Sequence, residues 1–297
     1  MADLRPSSSR AIGITLGDPA GIGPEVVQAA LDSGKLDPQF EYRVIGTTDG
    51  AVAGQPNDET ARAALTGLEE AARLALAGEI AAVVTGPVSK VRLQNVGFGF
   101  PGQTEFFAAR AGVQDFAMCL TGGALTVALV TAHVPLKDVA GLLSAPEIIR
   151  VGSLLAQFLA QRKGTIPRIA VAGLNPHAGE SGALGLEEIQ LIEPAIHLLR
   201  AEHQESAVFT GPISPDTVFN RAAAGEFDGV LCMYHDQGLI PLKLHAFDSG
   251  VNVTLGLPFP RTSPDHGTAF EIAGKKIARA DSMIAAIQLA TELVSAK

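Results

Sequence analysis

Short apolar runs alternate along the chain with longer segments whose apolar residues recur at helical spacing. Residues 11–16, 42–46, 80–85, 116–120, 125–131, 168–174, 229–233 and 250–257 read as strands. Residues 24–33, 59–77, 144–159, 187–200 and 282–294 read as helices. Shorter helices open at Gln103 and at Asp265, and another ends at Ala224. In 59–77 the positions Ala64, Leu68, Ala71, Ala72 and Ala75 fall on one face. Strand alternating with helix predicts an α/β fold built on a doubly wound sheet.

The stretch 228–243, DGVLCMYHDQGLIPLK, organises the rest. It opens as a buried strand and then discharges Tyr234, His235, Asp236 and Gln237 at the carboxyl end. That is where α/β proteins place ligands. His133 and His177 follow apolar strands in the same way. One such histidine reads as structural. Three at equivalent strand ends suit a divalent metal with coordination left open for substrate. Lys243, Asn252 and Arg261 lie on and after neighbouring strands, either as ordinary ion-pairing residues or as the grip on a phosphate or carboxylate. The Gly-rich turn 17–25 either approaches a ligand or is a tight structural turn, and it lacks GxGxxG spacing. Thr104 either caps its helix or sits at an anion site. Residues 97–102, rich in Gly and Phe, read as a hinge.

Bulk properties narrow the partners. A chain of 297 residues suits two domains or one large α/β unit. Its net charge of -9 argues against nucleic acid and anionic membranes as main partners, and Trp is absent as a stacking platform. No window approaches the roughly 18 apolar residues of a membrane span. Residues 1–10 are polar and Ser-rich, which predicts a loose tail rather than a signal peptide. The two cysteines, Cys119 and Cys232, sit in apolar runs and suit a reducing, cytoplasmic setting. His197, His203 and His245 read as bystanders.

The motifs GDPAGIGPE, TGPVSK, GQTEF, TAHVPL, LNPHAGE, GPISPDT, YHDQGLIPLK, VNVTLGLPFPRTS and DHGTAFEIAGK occur in this order over nearly the whole chain. Together they resemble the 4-hydroxythreonine-4-phosphate dehydrogenase family, within a wider group like isocitrate and isopropylmalate dehydrogenases. The resemblance implies a two-domain mixed α/β/α sandwich with the active site in the interdomain cleft. Residues 1–100 with 262–297 would form the cofactor-side domain, and 101–261 the domain with the metal, substrate and dimer interface. It implies a homodimer with shared active sites and NAD- or NADP-dependent oxidation of a small anionic phosphorylated substrate in pyridoxal phosphate synthesis, followed by decarboxylation. His133, His177 and His235 resemble ligands of a divalent metal (zinc, magnesium or cobalt). Gln103, Thr104, Lys243, Asn252 and Arg261 resemble substrate-binding positions, and His266, Gly267 and Thr268 the dinucleotide-contacting segment. Asp216 and Lys243 are both candidates for proton transfer. The family commonly has His where this chain has Gln103. That leaves open a related acid, such as a phosphorylated threonate or erythronate or a cis-dihydrodiol carboxylate. A non-catalytic small-molecule binding protein is a third reading.

Overall fold

The computed structural model describes residues 10–296. The expected tail, Arg10 apart, lies outside the described residues. The chain divides into two compact units, one of residues up to 114 with 251–297 and one of 115–250. These borders differ from the expected ones near 100 and 261, because the segments 101–114 and 251–261 pack with the first unit.

In the first unit the strands are β1 (Ala11–Thr15), β2 (Glu41–Ile45), β3 (Ala82–Thr85), β9 (Val251–Leu255) and β10 (Arg261–Pro264). Their order is β2-β1-β3-β10-β9, parallel except for β9 against β10. β1 and β3 are buried throughout, as expected of strands covered on both faces. Helix Asp58–Leu76 begins at Asn57, whose side chain accepts the Glu59 and Thr60 N–H groups while Thr60 Oγ1 accepts from Asn57 N–H. Its five anticipated core positions are all buried. In segment 97–102 Phe98 is buried with its ring 5.6 Å from that of Phe106. Helix Gln103–Ala111 starts directly after it.

In the second unit β4 (Ala117–Gly122), β5 (Leu125–Leu129), β6 (Arg168–Ala172), β7 (Val208–Ile213) and β8 (Gly229–Cys232) run in the order β4-β5-β8-β6-β7. Only β4 and β5 pair antiparallel. His245, expected as a bystander, closes this hairpin by accepting the Ala124 N–H at 3.2 Å. β7 was not expected. It contains Gly211 and Pro212, and an edge strand accommodates a proline because one side of its backbone needs no ladder partner. Residues 265–280 contain no helix, against expectation. Helix His235–Ala246 accommodates Pro241 in its interior. Both cysteines are buried, and desolvation pushes the Cys119 thiol up to about 12 and that of Cys232 higher still. Among the described residues no single helix is long and apolar enough to cross a membrane.

Candidate active site

In the first unit the site is built on Arg261, the first residue of β10 and only 2% exposed. Its backbone pairs opposite Val83, and its side chain reaches Thr85, the last residue of β3. Nη2 donates to Thr85 Oγ1 at 2.5 Å and to Gln103 Oε1 at 2.9 Å, and Nη1 donates to Thr254 Oγ1 at 3.3 Å. Thr104 Oγ1 lies 3.3 Å from the same Thr254 hydroxyl. The Phe107 ring centroid is 5.7 Å from the guanidinium carbon. Burial pulls the guanidinium down to about 10, against the opposing charge of Glu105, so it stays cationic at neutral pH. Thr85, Thr254 and Gln103 are all neutral, and among the described residues the Nε has no partner. Asn252 Oδ1 and Glu105 Oε2 are likewise buried without a partner. A buried cation with an unpartnered N–H suits an anionic group, while the orphaned acceptors Asn252 Oδ1 and Glu105 Oε2 call for hydrogen-bond donors on the same ligand. Thr85, Thr254 and Glu105 were missed by sequence reasoning. The polar end of the 80–85 strand was the available signal for Thr85.

Gln103 therefore serves as an acceptor to Arg261, and its amide nitrogen keeps a donor for a ligand. A neutral imidazole has the same donor-plus-acceptor pair. Gln103→His should keep activity near neutral pH but lose it as pH falls, because Arg261 disfavours a second cation and depresses the imidazole pKa below its usual value of about 6.5. Gln103→Ala should lose roughly tenfold in kcat/KM, about 1–1.5 kcal/mol of transition-state binding. Steady-state kinetics across pH on the two variants checks both.

The histidines stand in the second unit. His133 follows β5 with φ of 56°, a left-handed conformation that is uncommon for a side-chain-bearing residue. His235 is the first residue of its helix, and its Nδ1 lies 2.7 Å from Asp236 Oδ1. A carboxylate can only accept, so Nδ1 carries the proton and Nε2 of the neutral ring presents its lone pair. The His133 and His235 rings are 5.5 Å apart, centroid to centroid. They line a pocket of about 280 Å³ with Thr131, Val134, Leu136 and Tyr234. His177 is exposed on a loop whose residues 177–181 all have positive φ, from 44° to 80°. Among the described residues no three metal-ligating side chains converge, so the chain by itself unites two of the three histidines. Two imidazoles, one with its tautomer fixed by a carboxylate, are donors that fit part of the shell of a zinc-like ion.

Asp216 lies in the first turn of helix Pro215–Ala223. A hydrogen bond from Ser214 Oγ, 2.5 Å away, holds its carboxyl below the usual range, with a smaller contribution from His177. Lys243 sits half-buried in the last turn of helix His235–Ala246. In the first unit His266 Nε2 is buried with no partner among the described residues, and Gly267 has open space where a side chain would point. The Thr268 carbonyl accepts the Ile22 N–H at 2.9 Å, which ties this segment to the turn 17–25. In that turn Gly23 lies so close to the Leu16 carbonyl that a Cβ would sit 1.9 Å from the oxygen. The structural demand on that glycine is therefore real, beside the contact with the 266–268 segment.

The mixed α/β scaffold that carries these residues is shared with solved dehydrogenases. A 4-hydroxythreonine-4-phosphate dehydrogenase from Klebsiella pneumoniae superposes with a TM-score of 0.82 at 36% identity, over 96% of this chain and 100% of that one. The family model of the pyridoxal phosphate biosynthetic protein PdxA matches residues 24–290, and the chain belongs to that family. A 4-hydroxythreonine-4-phosphate dehydrogenase from Desulfosudis oleivorans is 45% identical, covering 95% of each chain. A terephthalate 1,2-cis-dihydrodiol dehydrogenase from Burkholderia xenovorans is more distant, with 28% identity and a TM-score of 0.69 over 95% of this chain and 97% of that one.

Proposed function

We propose that the protein oxidises 4-phosphooxy-L-threonine with NAD⁺ or NADP⁺ in pyridoxal phosphate synthesis, the β-keto acid product losing CO₂ to give 3-amino-2-oxopropyl phosphate. The observation that carries this reading, within the family, is the buried Arg261 with its neutral partners and orphaned neighbours. Arg261, Lys243 and Thr104 bind the anionic groups of the substrate, and Asn252 and Gln103 orient it through hydrogen bonds. His133, His177 and His235 would hold a divalent ion, which would supply Lewis acidity at the substrate hydroxyl. His266, Gly267 and Thr268 would hold the nicotinamide dinucleotide, which would supply the hydride acceptor. Lys243 is the better candidate to move the proton. Asp216, held ionised and weakly basic by Ser214, is less suited to a transfer near neutrality and instead sets the charge beside His177. The test is product analysis: reduced cofactor, CO₂ and the amino ketone phosphate should form in equal amounts. Reduced cofactor formed without CO₂ contradicts the decarboxylating reading, and a cis-dihydrodiol carboxylate converted to a catechol, CO₂ and reduced cofactor in preference favours the cis-dihydrodiol-type alternative.

We further assign the third metal ligand, His177, to the partner subunit of a homodimer. Two observations support this. His177 is not grouped with the His133–His235 pair. The helix that starts at His235 also exposes an apolar stripe of Ile240, Leu244 and Phe247, 66%, 90% and 77% exposed, at spacing that places them on one face. Mixing His177→Ala with His235→Ala subunits should restore up to about a quarter of wild-type activity, since half of randomly exchanged dimers are mixed and each has one intact site. Demonstrated exchange without recovery contradicts the shared site.

A further inference from the structure

The strand ends that carry the three histidines are joined by a side chain to which the reaction assigns no part. Parallel strands β6 and β8 pair as far as Val171 opposite Leu231. Continued in register, the next same-facing pair would be Gly173 and Met233, but the ladder stops short of it. There the carboxamide of Gln237, 6% exposed, is inserted between the two backbones. Its Oε1 accepts the Met233 N–H at 2.7 Å, and its Nε2 donates to the Gly173 carbonyl at 2.7 Å. One donor and one acceptor on a planar amide reproduce a missing peptide unit between diverging strands. On the far side of Met233, its carbonyl accepts from Thr131 N at 3.2 Å and from Thr131 Oγ1 at 2.8 Å, two residues before His133. Beyond Gly173, the buried Glu188 accepts the Leu174 and Asn175 N–H groups at 2.7 and 2.8 Å, directly before the left-handed loop of His177.

The geometry points to Gln237 as a positioning residue that fixes the strand ends carrying the His133–His235 pair and, beyond Gly173, the backbone leading into the His177 loop. This rests on the metal-dependent reading above for its consequence, though not for the clamp itself. The left-handed backbone at His133 and over 177–181 is costly and persists only where its surroundings over-determine it, and this hydrogen-bonded chain supplies that constraint. Glutamine is specifically required. Glutamate in its ionised form offers two acceptors, so it keeps the Met233 bond and opposes the Gly173 carbonyl. Methionine, similar in length, keeps neither bond. Gln237 touches no reacting atom, and its effect passes through the histidines.

The test uses the full-length protein and its variants Gln237→Met, Gln237→Glu and Glu188→Gln. In metal-free protein, amide hydrogen exchange should quicken about tenfold or more in both 173–178 and 233–236 for Gln237→Met, since two hydrogen bonds of about 1 kcal/mol each are lost. Glu188→Gln should quicken 174–175 alone. Gln237→Glu, equal in size, covers the case in which the methionine variant does not fold. With Co²⁺ as probe, the dissociation constant should rise about 10- to 100-fold for Gln237→Met, as for other residues behind metal ligands. Activity should return as Co²⁺ is raised, which lost structure alone would not give. A change confined to the Met233 amide, with 173–178 and the Co²⁺ affinity as in wild type, overturns the assignment. Wild-type protein that takes up no Co²⁺ while both loops still respond to Gln237→Met would instead refute the metal reading and leave the clamp standing.

Discussion

Replacing any one of His133, His177 or His235 by alanine is expected to remove turnover while the protein stays folded. A metal that stabilises developing charge contributes several kcal/mol, and each 1.4 kcal/mol is tenfold, so the loss is on the order of a thousandfold or more. The fold survives because His133 and His177 are exposed and the His235 side chain is a third exposed. Glycine sharpens the test at the two strained positions. At His133 and His177, with φ of 56° and 52°, glycine relieves a left-handed conformation that costs other residues roughly 1–2 kcal/mol. His133→Gly should thus melt at or above the wild-type temperature and still be inactive. Calorimetry paired with kinetics checks this, and retained activity after thorough chelation would remove the metal from the account.

Arg261 should give the second large effect. Its guanidinium is buried and held by Thr85, Gln103 and Thr254, and its Nε has no partner among the described residues. Removing one charge of a buried set strands its partners, here the three acceptors and the Glu105 carboxylate. Arg261→Met, beside Phe107, should therefore lower the melting temperature of ligand-free protein. It should also raise KM for the phosphorylated substrate by roughly 10- to 100-fold, since a hydrogen bond to a charged group is worth about 1.5–3 kcal/mol. Arg261→Lys keeps the charge without the planar fork and should fall between the two. An unchanged KM in Arg261→Met would place the anion elsewhere.

Much of this was legible in the sequence because local signals and tertiary demand agreed. Helix Asp58–Leu76 carries its own cap and an apolar face, and the β8 strand stops where its polar residues begin. What escaped depended on pairing at long range. β7 was masked by Gly211 and Pro212, which only an edge position tolerates. Residues 265–280 carry a start signal for a helix, yet the Thr268 carbonyl is spent on Ile22. Arg261 was legible as a candidate grip on an anion, but its burial and its place in a strand follow from neighbours distant in sequence. Gln237 and Glu188 carry no motif signal of their own role. Their partners, Gly173 and Leu174–Asn175, are brought to them only by the assembled sheet.

The most direct test of the central claim is a substrate panel read by the absorbance of reduced cofactor. Purified protein with NAD⁺ or NADP⁺ and a divalent metal would be offered 4-phosphooxy-L-threonine, its dephosphorylated form, a phosphorylated threonate or erythronate, and a cis-dihydrodiol carboxylate. The account predicts the highest kcat/KM for 4-phosphooxy-L-threonine and a steep loss on removing its phosphate. Equal use of the dephosphorylated compound, preference for the cis-dihydrodiol, or no reduced cofactor with any of them would contradict it.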